Sequence, residues 1–372
     1  MISNSNTGKI VPLNGITLPQ AEGYRREPAV DAQLRADDYD QRYDSQTLFY
    51  DCLWLASKQQ LVLYCPKLLN FARLFREGEF SSNIGTHRLR KIIEHSRFSE
   101  IRLDCQAQPE WLSFRHEAFE TRTDVSKPET SAFADLNCII TLSKDNDLTW
   151  IHDWVSYHVR RHQLQGLVLF DNNSSIYSPE DIVKTLRDVE GLQQFRVIPA
   201  PFPYGPTGKK KPKHGSKFLQ AALRNLTRRR FFAEAGAVLW LDIDEMIVHR
   251  SGKSIFEETK SSLLGYREFD GQWAYRSPDQ PGLARHHEHV YLRNGQVQPC
   301  RGKYCVAPNG PLRFLDWGTH HLQAPGLIRR FCHSDEFYLL HCFNISTSWK
   351  NSRESREGSY EYSADRDRLI ND

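Results

Sequence analysis

In the middle of the chain, continuous apolar runs alternate with segments in which apolar residues follow helical spacing. The segments 136–142, 167–170 and 195–198 are mainly apolar without alternation, which predicts strands buried on both faces, as in a parallel sheet. Between them, apolar residues recur every three or four positions over 148–163, and a Ser-Pro-Glu-Asp sequence at 178–181 has the form of a helix start. This order of strand, helix, strand, helix and strand predicts an α/β fold.

A fourth apolar run, 237–241, follows a segment of helical spacing and ends in three acids, Asp242, Asp244 and Glu245. In an extended chain Asp242 and Asp244 point the same way, and two carboxylates so close repel each other unless a cation lies between them. Carboxylate oxygens are ligands that suit Mg²⁺ and Mn²⁺. The alternative is that these acids are ordinary turn residues at the end of a strand.

Polar residues also follow two of the upstream strands. Asp145 comes after the first strand, and Asp171 and Asn173 come after the second. Because open α/β sheets bind ligands at the carboxyl ends of their strands, we expect these loops to converge with the acids on one crevice. A nucleotide would find acceptors for its hydroxyl groups there and a cation for its diphosphate. Each loop taken alone is also compatible with a structural turn.

The rest of the chain divides into regions of different composition and residue pattern. Residues 1–45 are polar and rich in Gly and Pro, which predicts a loosely ordered lead-in, and short alternating runs over 46–130 predict a small β-rich region. The α/β domain is expected over 131–350, followed by a polar tail at 351–372.

The chain as a whole has the composition of a folded cytoplasmic protein. It has 372 residues, a net charge of +3 and eight dispersed cysteines, and no run of about 18 apolar residues. The small net charge argues against a nucleic-acid partner, and the dispersed cysteines indicate a reducing compartment and no zinc-finger spacing.

Two charged segments allow more than one interpretation. The basic cluster at 209–213 and the run at 228–230 are expected to be solvated surface, or else to bind an anionic acceptor or the inner leaflet of a membrane as a peripheral contact. The segment 286–289, His-His-Glu-His, is expected to be an exposed loop with neutral histidines, because its spacing does not place two ligands on one helix face.

Several segments together carry motifs whose order and spacing match a known family. Residues 150–158 (WIHDWVSYH), 166–174 (GLVLFDNNS) and 240–245 (WLDIDE) resemble motifs of the family 92 and family 2-like glycosyltransferases. Downstream, the resemblance continues through Lys303, Pro308, His320, His341, Ser348 and Lys350. It covers roughly 136–350 and leaves residues 1–130 uncovered.

This resemblance implies a GT-A fold, which is a Rossmann-like, mostly parallel sheet with helices on both faces, here preceded by the smaller β-rich region. Such enzymes are hexosyltransferase-like: they move a sugar from a nucleotide-sugar donor, here a UDP-sugar, to a hydroxyl of a glycan or glycolipid acceptor, usually with inversion. We therefore expect a role in polysaccharide assembly, with Mn²⁺ or Mg²⁺ as the cofactor.

The resemblance also implies roles for individual residues. Asp242 and Asp244 would hold the metal, with His320 or His341 completing its ligands, and Glu245 would orient the metal water or the donor sugar. Lys303 would neutralise the leaving diphosphate. The donor-binding candidates are Asp145, Asp171, Asn173, Lys217 and Lys303.

The acceptor side departs from the family pattern. Thr149 replaces the usual acid before Trp-Ile, and 265–289 lacks the usual Phe-Gly pattern. An inverting transfer needs a base for the acceptor proton, and Asp316, Asp270 and Glu288 are candidates, with a preference for Asp316. Two other functions stay open: a metal-dependent phosphodiester or sugar-phosphate hydrolase, and a non-catalytic glycan-binding protein.

Overall fold

The computed structural model describes residues 6–19, 23–117, 119–206, 217–250, 252–347 and 358–371. It consists of two compact units. The large-sheet unit comprises Met1–Val11, Thr130–Pro199 and Phe231–Asp372, and the β-rich unit comprises Pro12–Glu129 and Ala200–Arg230. The basic cluster at 209–213, and Ser348 and Lys350 of the family motif, lie outside the described residues.

The secondary structure elements are numbered here in chain order. The strands are β1 (Thr7–Ile10), β2 (Ile16–Thr17), β3 (Thr47–Phe49), β4 (Asp51–Leu55), β5 (Gln60–Cys65), β6 (Glu79–Ser82), β7 (Gly85–His87), β8 (Leu89–Glu94), β9 (Ser99–Asp104), β10 (Trp111–His116), β11 (Phe119–Asp124), β12 (Asn137–Ser143), β13 (Gly166–Asp171), β14 (Gln194–Pro199), β15 (Ala237–Trp240), β16 (Glu245–His249), β17 (Tyr266–Ala274), β18 (Tyr291–Arg293), β19 (Pro299–Val306), β20 (Phe337–Cys342) and β21 (Tyr360–Tyr362). The helices are α1 (Tyr39–Arg42), α2 (Phe71–Glu77), α3 (Leu148–His162), α4 (Pro179–Arg187), α5 (Leu219–Arg230), α6 (Ile255–Ser261), α7 (Gly326–Phe331) and α8 (Ala364–Asn371).

The large-sheet unit is built on a mixed sheet of nine strands in the order β1-β14-β13-β12-β15-β19-β17-β20-β16. The first five strands in this order are parallel to their neighbours. Beyond β15 the pairings are antiparallel, except that β17 and β20 are parallel. The α/β class is therefore confirmed, and the carboxyl ends of β12, β13 and β15 lie at one edge of the sheet.

The two crossover helices begin where their sequences predict. Asp147 is the N-cap of α3, and its carboxylate accepts a hydrogen bond of 2.8 Å from the backbone N of Thr149. Ser178 and Asp181 form a reciprocal capping box at the start of α4, which satisfies backbone groups that a helix end leaves unpaired. Helix α3 packs Ile151 and Trp154 into the core of the sheet. The start of each crossover helix is thus determined by residues that are close in the sequence.

The β-rich unit contains two antiparallel sheets of four strands, β4-β5-β9-β8 and β11-β10-β6-β7, and the pair β2 and β3. Its core includes Leu63, Phe75, Ile101 and Phe114. The predicted β-rich region is therefore confirmed. Helix α5, which the sequence assigned to the 131–350 domain, belongs to this unit, whereas β1 from the predicted lead-in belongs to the large sheet.

The basic run at the end of α5 is not solvated surface. Arg230 is buried and its guanidinium lies 2.7 Å from the carboxylate of Asp51, while Arg229 lies 3.1 Å from Glu100. The prediction of a solvated or anion-binding surface is wrong for these two arginines, because buried carboxylates within the same unit already neutralise them. In the described part of the chain, no helix is both long and apolar enough to cross a membrane.

Candidate functional site

The three acids form a tight turn, the acidic turn, between β15 and β16. Residues 241–244 lie between the two strands, and the side chains of Leu241 and Ile243 are buried while those of Asp242 and Asp244 are 22% and 16% exposed. The Glu245 carboxylate accepts a hydrogen bond of 2.8 Å from the backbone N of Asp242. The alternation predicted from the sequence places both aspartates on the accessible side of the turn.

Lys303 reaches the acidic turn from β19. Its ammonium lies 2.8 Å from the Glu245 carboxylate and 3.4 Å from that of Asp242, and its side chain is only 1% exposed. Burial raises the pKa of Glu245 above its ordinary value, although the Lys303 ammonium opposes that shift. Lys303 and Glu245 therefore form a buried ion pair that holds the acidic turn in place. The roles that the resemblance implied, Lys303 at the leaving diphosphate and Glu245 at a metal water or the donor sugar, stay predictions.

His341 contacts the second aspartate. Strand β20 lies between β16 and β17, so that His341 stands opposite Glu245 on one side and Trp273 on the other. The Nε2 atom of His341 is 3.0 Å from an Asp244 carboxylate oxygen, and the imidazole stacks on the Trp273 ring with centroids 4.2 Å apart. This stack fixes the imidazole plane, so His341 positions Asp244.

Two buried side chains that were not predicted as site residues, Trp154 and His286, hydrogen-bond to the backbone of the acidic turn. The indole N–H of Trp154 donates to the backbone O of Glu245 at 2.7 Å, and His286 Nε2 donates to the backbone O of Ile243 at 2.7 Å. Trp154 lies within the 150–158 motif, which was the available signal. No local pattern could predict the contact of His286, because its partner is 43 residues away in the sequence.

The prediction of an exposed loop at 286–289 is wrong for two of its histidines. His286 and His289 are buried, and burial lowers their pKa values to about 4 and about 3. Both rings are therefore neutral at pH 7, as expected from the sequence. Glu288 accepts a hydrogen bond of 2.7 Å from the backbone N of Arg285 and lies 3.5 Å from Arg276, so it organises this loop.

The loops after β12 and β13 form a second polar cluster. Asp145 accepts a hydrogen bond of 2.6 Å from the backbone N of Ser175, and its own N–H bonds Ser174 at 2.8 Å. Ser174 in turn donates to Asp171. Burial raises the pKa of Asp171, and the hydrogen bonds from Ser174 oppose that shift. The structure thus brings Asp145 and Asp171 together in one hydrogen-bonded network.

This loop cluster and the acidic turn share one edge of the sheet. Strand β12 pairs with β13 on one side and with β15 on the other, so β13 and β15 are about 10 Å apart. Asn173, which follows Asp171, is exposed and has a left-handed backbone with φ +60°. The polar residues after β12, β13 and β15 therefore lie at the same edge of the sheet, while a common binding crevice stays a prediction.

The remaining candidates from the sequence are His320, Asp316, Asp270 and Lys217. His320 Nδ1 is 3.2 Å from the backbone O of Gly302, next to Lys303, and the backbone O of Asp316 accepts from Gln323 at 3.0 Å. Asp270 on β17 has a side chain that is 85% exposed and 3.7 Å from His333. Lys217 belongs to the β-rich unit, where its ammonium lies 5.0 Å from the centre of the Tyr204 ring.

The donor atoms at the acidic turn fit a divalent cation only in part. Within the described ranges, no three His, Cys, Asp or Glu side chains are close enough to hold a metal together. The carboxylates of Asp242 and Asp244 nevertheless lie on the partly exposed side of the acidic turn. Mg²⁺ is commonly held by one or two carboxylates together with substrate phosphates and water, so the donor set suits a cation that arrives with a diphosphate.

Comparisons with known proteins do not assign the chain to a family. No family model matches it, and no curated protein sequence matches it. Among solved structures, the crystal structure of S. aureus TarS is similar over 40% of this chain and 23% of that chain, with 14% sequence identity and a TM-score of 0.26. The chain therefore spans less than a quarter of that protein's length, and a similarity at this level supports no functional conclusion.

Proposed function

We propose that this chain is a glycosyltransferase that moves a sugar from a nucleotide-sugar donor to a hydroxyl of a glycan or glycoconjugate acceptor, with Mn²⁺ or Mg²⁺ as its cofactor. The observation that carries the proposal is the acidic turn, where two partly exposed aspartates follow the last of five parallel strands at the carboxyl edge of the sheet. The motif resemblance over 136–350 agrees with this placement.

The loop cluster supplies the nucleotide side of the proposed site. Asp171 follows β13 and Asp145 follows β12, at the edge where open α/β sheets bind nucleotides. Carboxylate oxygens in this position accept hydrogen bonds from ribose hydroxyls or from the base. Asn173 lies on the exposed side of the same loop and is a further proposed contact of the nucleotide.

Asp242 and Asp244 are the proposed ligands of the cation. When bound, Mn²⁺ or Mg²⁺ would stabilise the charge that develops on the leaving diphosphate. The protein groups around the two aspartates hold them in place: Lys303 contacts Asp242, and His341 contacts Asp244. Lys303 also keeps a positive charge fixed close to the proposed diphosphate position, which requires no reorganisation during the reaction.

The acceptor base is proposed to be Asp316 or Asp270. Glu288 is the weaker candidate, because its carboxylate is engaged by Arg285 and Arg276 within a loop. Asp270 is freely accessible to solvent, and Asp316 lies between two segments of the family motif.

Titration calorimetry with UDP, GDP, ADP and CDP, each with and without Mn²⁺, tests the donor side. We expect one nucleoside diphosphate to bind in a Mn²⁺-dependent manner, and the Asp242→Asn, Asp244→Asn double variant to lose that dependence. Asp188→Asn, at an exposed aspartate after α4, serves as the matched control and is expected to bind as the wild type does. The proposal fails if every diphosphate tested binds equally with and without the metal, or does not bind.

A further inference from the structure

A pocket with a volume of about 380 Å³ lies beside the start of α3 in the large-sheet unit. Its walls come from Trp150 on α3, from residues of the loop 276–284 after β17, and from Asn344 just after β20. Leu283 and Asn344 in these walls are exposed, so a ligand can enter from solvent. The volume falls at the lower end of the range of small-molecule sites, which suits a ligand of the size of one sugar unit.

Two of the wall residues are close in the chain to residues that hold the acidic turn. Trp150 precedes Trp154 by four residues, so both lie on one face of α3, and the Trp154 indole N–H donates to the backbone of the acidic turn at 2.7 Å. Ala284 precedes His286 by two residues, and His286 also bonds the backbone of that turn at 2.7 Å. The walls of the pocket and the supports of the acidic turn are therefore built from the same segments.

A third connection to the acidic turn runs along β20. The backbone N of Cys342 donates to the backbone O of Asp244 at 2.7 Å, and Asn344 follows Cys342 by two residues. Because two residues of extended chain span at most about 7 Å, the backbone of Asn344 lies within about 10 Å of Asp244. A ligand in the pocket would thus lie close to the proposed cation ligands.

The one charged side chain among the residues that line the pocket, Arg276, is already occupied. Its guanidinium donates to the backbone O atoms of Gln280, Pro281 and Gly282, with distances of 3.2 Å to Pro281 and 3.1 Å to Gly282. It also lies 3.5 Å from the Glu288 carboxylate, and its side chain is only 7% exposed. An anionic ligand would therefore find no available cation in this pocket.

The polar groups that the pocket offers to a ligand are uncharged. The Ser277 hydroxyl and the side-chain N of Asn344 make no hydrogen bond within the described ranges. Hydroxyl and amide groups both donate and accept hydrogen bonds, as the hydroxyl groups of a sugar do. Trp150, Pro278 and Leu283 add apolar surface, which suits the C–H face of a sugar ring. The pocket therefore combines neutral polar groups with apolar surface.

We propose that this pocket binds the uncharged terminal sugar of the glycan acceptor. The acceptor role rests on the proposed transferase function, whereas binding of a neutral sugar does not require it. A phosphorylated or acidic sugar would have to desolvate its charge without gaining a counter-charge, because Arg276 is occupied. A neutral sugar ring can use the hydroxyl, the amide and the apolar surface together. The proposal narrows the acceptor class to neutral glycans.

Saturation-transfer NMR on the full chain, without nucleotide or metal, tests this proposal. The neutral probes are the methyl glycosides of galactose, glucose, mannose and N-acetylglucosamine, and the charged probes are galacturonic acid and glucose 6-phosphate. We expect at least one methyl glycoside to give saturable binding. Neither charged sugar should bind as tightly as the best neutral glycoside.

Variants at the exposed wall residues place the binding in this pocket. Asn344→Ala removes the amide and should weaken binding of the best neutral glycoside about fivefold. Leu283→Ala removes apolar surface and should also weaken it. The matched control is Asn309→Ala, at an exposed asparagine shortly after β19, which should change the affinity less than twofold. The three replaced side chains are exposed, so all three variants are expected to fold.

The proposal is overturned if none of the four methyl glycosides gives saturable binding, or if a charged sugar binds at least as tightly as the best of them. It is also overturned if Asn344→Ala binds that glycoside as the control does. The nucleotide titrations of the donor side are independent of these results. Sugar binding without metal-dependent diphosphate binding would refute the transferase and retain a neutral-glycan site, and the reverse result would refute only this pocket.

Discussion

Replacing Lys303 by Met removes the ammonium beneath the acidic turn and leaves the buried Glu245 carboxylate without its ion-pair partner. The two side chains are only 1% and 3% exposed, and removing one member of such a pair typically costs about 3 to 5 kcal/mol. Protonation of Glu245 sets an independent upper limit on this loss of folding free energy. Glu245 can escape its unpaired charge by binding a proton, which costs about 1.4 kcal/mol per pH unit between its unfolded pKa near 4.3 and the pH of the solution, or about 3.7 kcal/mol at pH 7.

The protonation of Glu245 also makes the stability of Lys303→Met depend on pH. In Lys303→Met the folded pKa of Glu245 lies far above its unfolded value, so the folded state binds more protons and the variant gains stability as the pH falls. At pH 5.5 the loss relative to the wild type should shrink to about 1.6 kcal/mol. Urea unfolding followed by tryptophan fluorescence at both pH values measures this difference.

Lys260→Met is the matched control, because Lys260 forms a more exposed ion pair with Glu257 on α6. We expect it to cost under about 1 kcal/mol at either pH. The account of the buried pair would be refuted if Lys303→Met were no more destabilising than this control at pH 7, or if its loss were the same at pH 5.5.

Two further predictions concern the supports of the site. Asp147→Ala removes the N-cap of α3 and should lower the free energy of unfolding by about 1 kcal/mol in urea; a loss below about 0.3 kcal/mol would contradict the cap assignment. His286 has a folded pKa of about 4, below its unfolded value near 6.5, so the unfolded state binds more protons and stability is lost as the pH falls through that window. Comparing unfolding curves at pH 7, 6 and 5, we expect His286→Gln to lose less stability per pH unit than the wild type, by about 0.9 kcal/mol on average; equal slopes would show that His286 does not titrate in this way.

Local signals in the sequence predicted much of the α/β core. The strands at 136–142, 167–170 and 195–198 correspond to β12, β13 and β14, and the predicted helix starts at Asp147 and Ser178 carry the expected caps. These elements are specified by periodicity and by residues within a few positions of one another. For the same reason, the common edge of β12, β13 and β15 followed from the order of the elements alone.

Contacts between residues distant in the sequence could not be predicted from local patterns. Lys303 meets Glu245 because β19 inserts between β15 and β17, and His341 meets Asp244 because β20 inserts between β17 and β16. Neither register has a local signal. The buried state of His286 and Arg230 was mispredicted because their partners, Ile243 and Asp51, are distant in the sequence. Polar residues in these patterns resemble solvated surface until the partner is known.

A crystal structure of the chain with Mn²⁺ and the nucleoside diphosphate selected by calorimetry tests the central claim most directly. The account predicts an anomalous manganese peak about 2.0 to 2.3 Å from carboxylate oxygens of Asp242 and Asp244, with the diphosphate on the metal and the nucleoside near Asp171. Manganese at another position, or a diphosphate bound away from the carboxyl edge of β15, would contradict it.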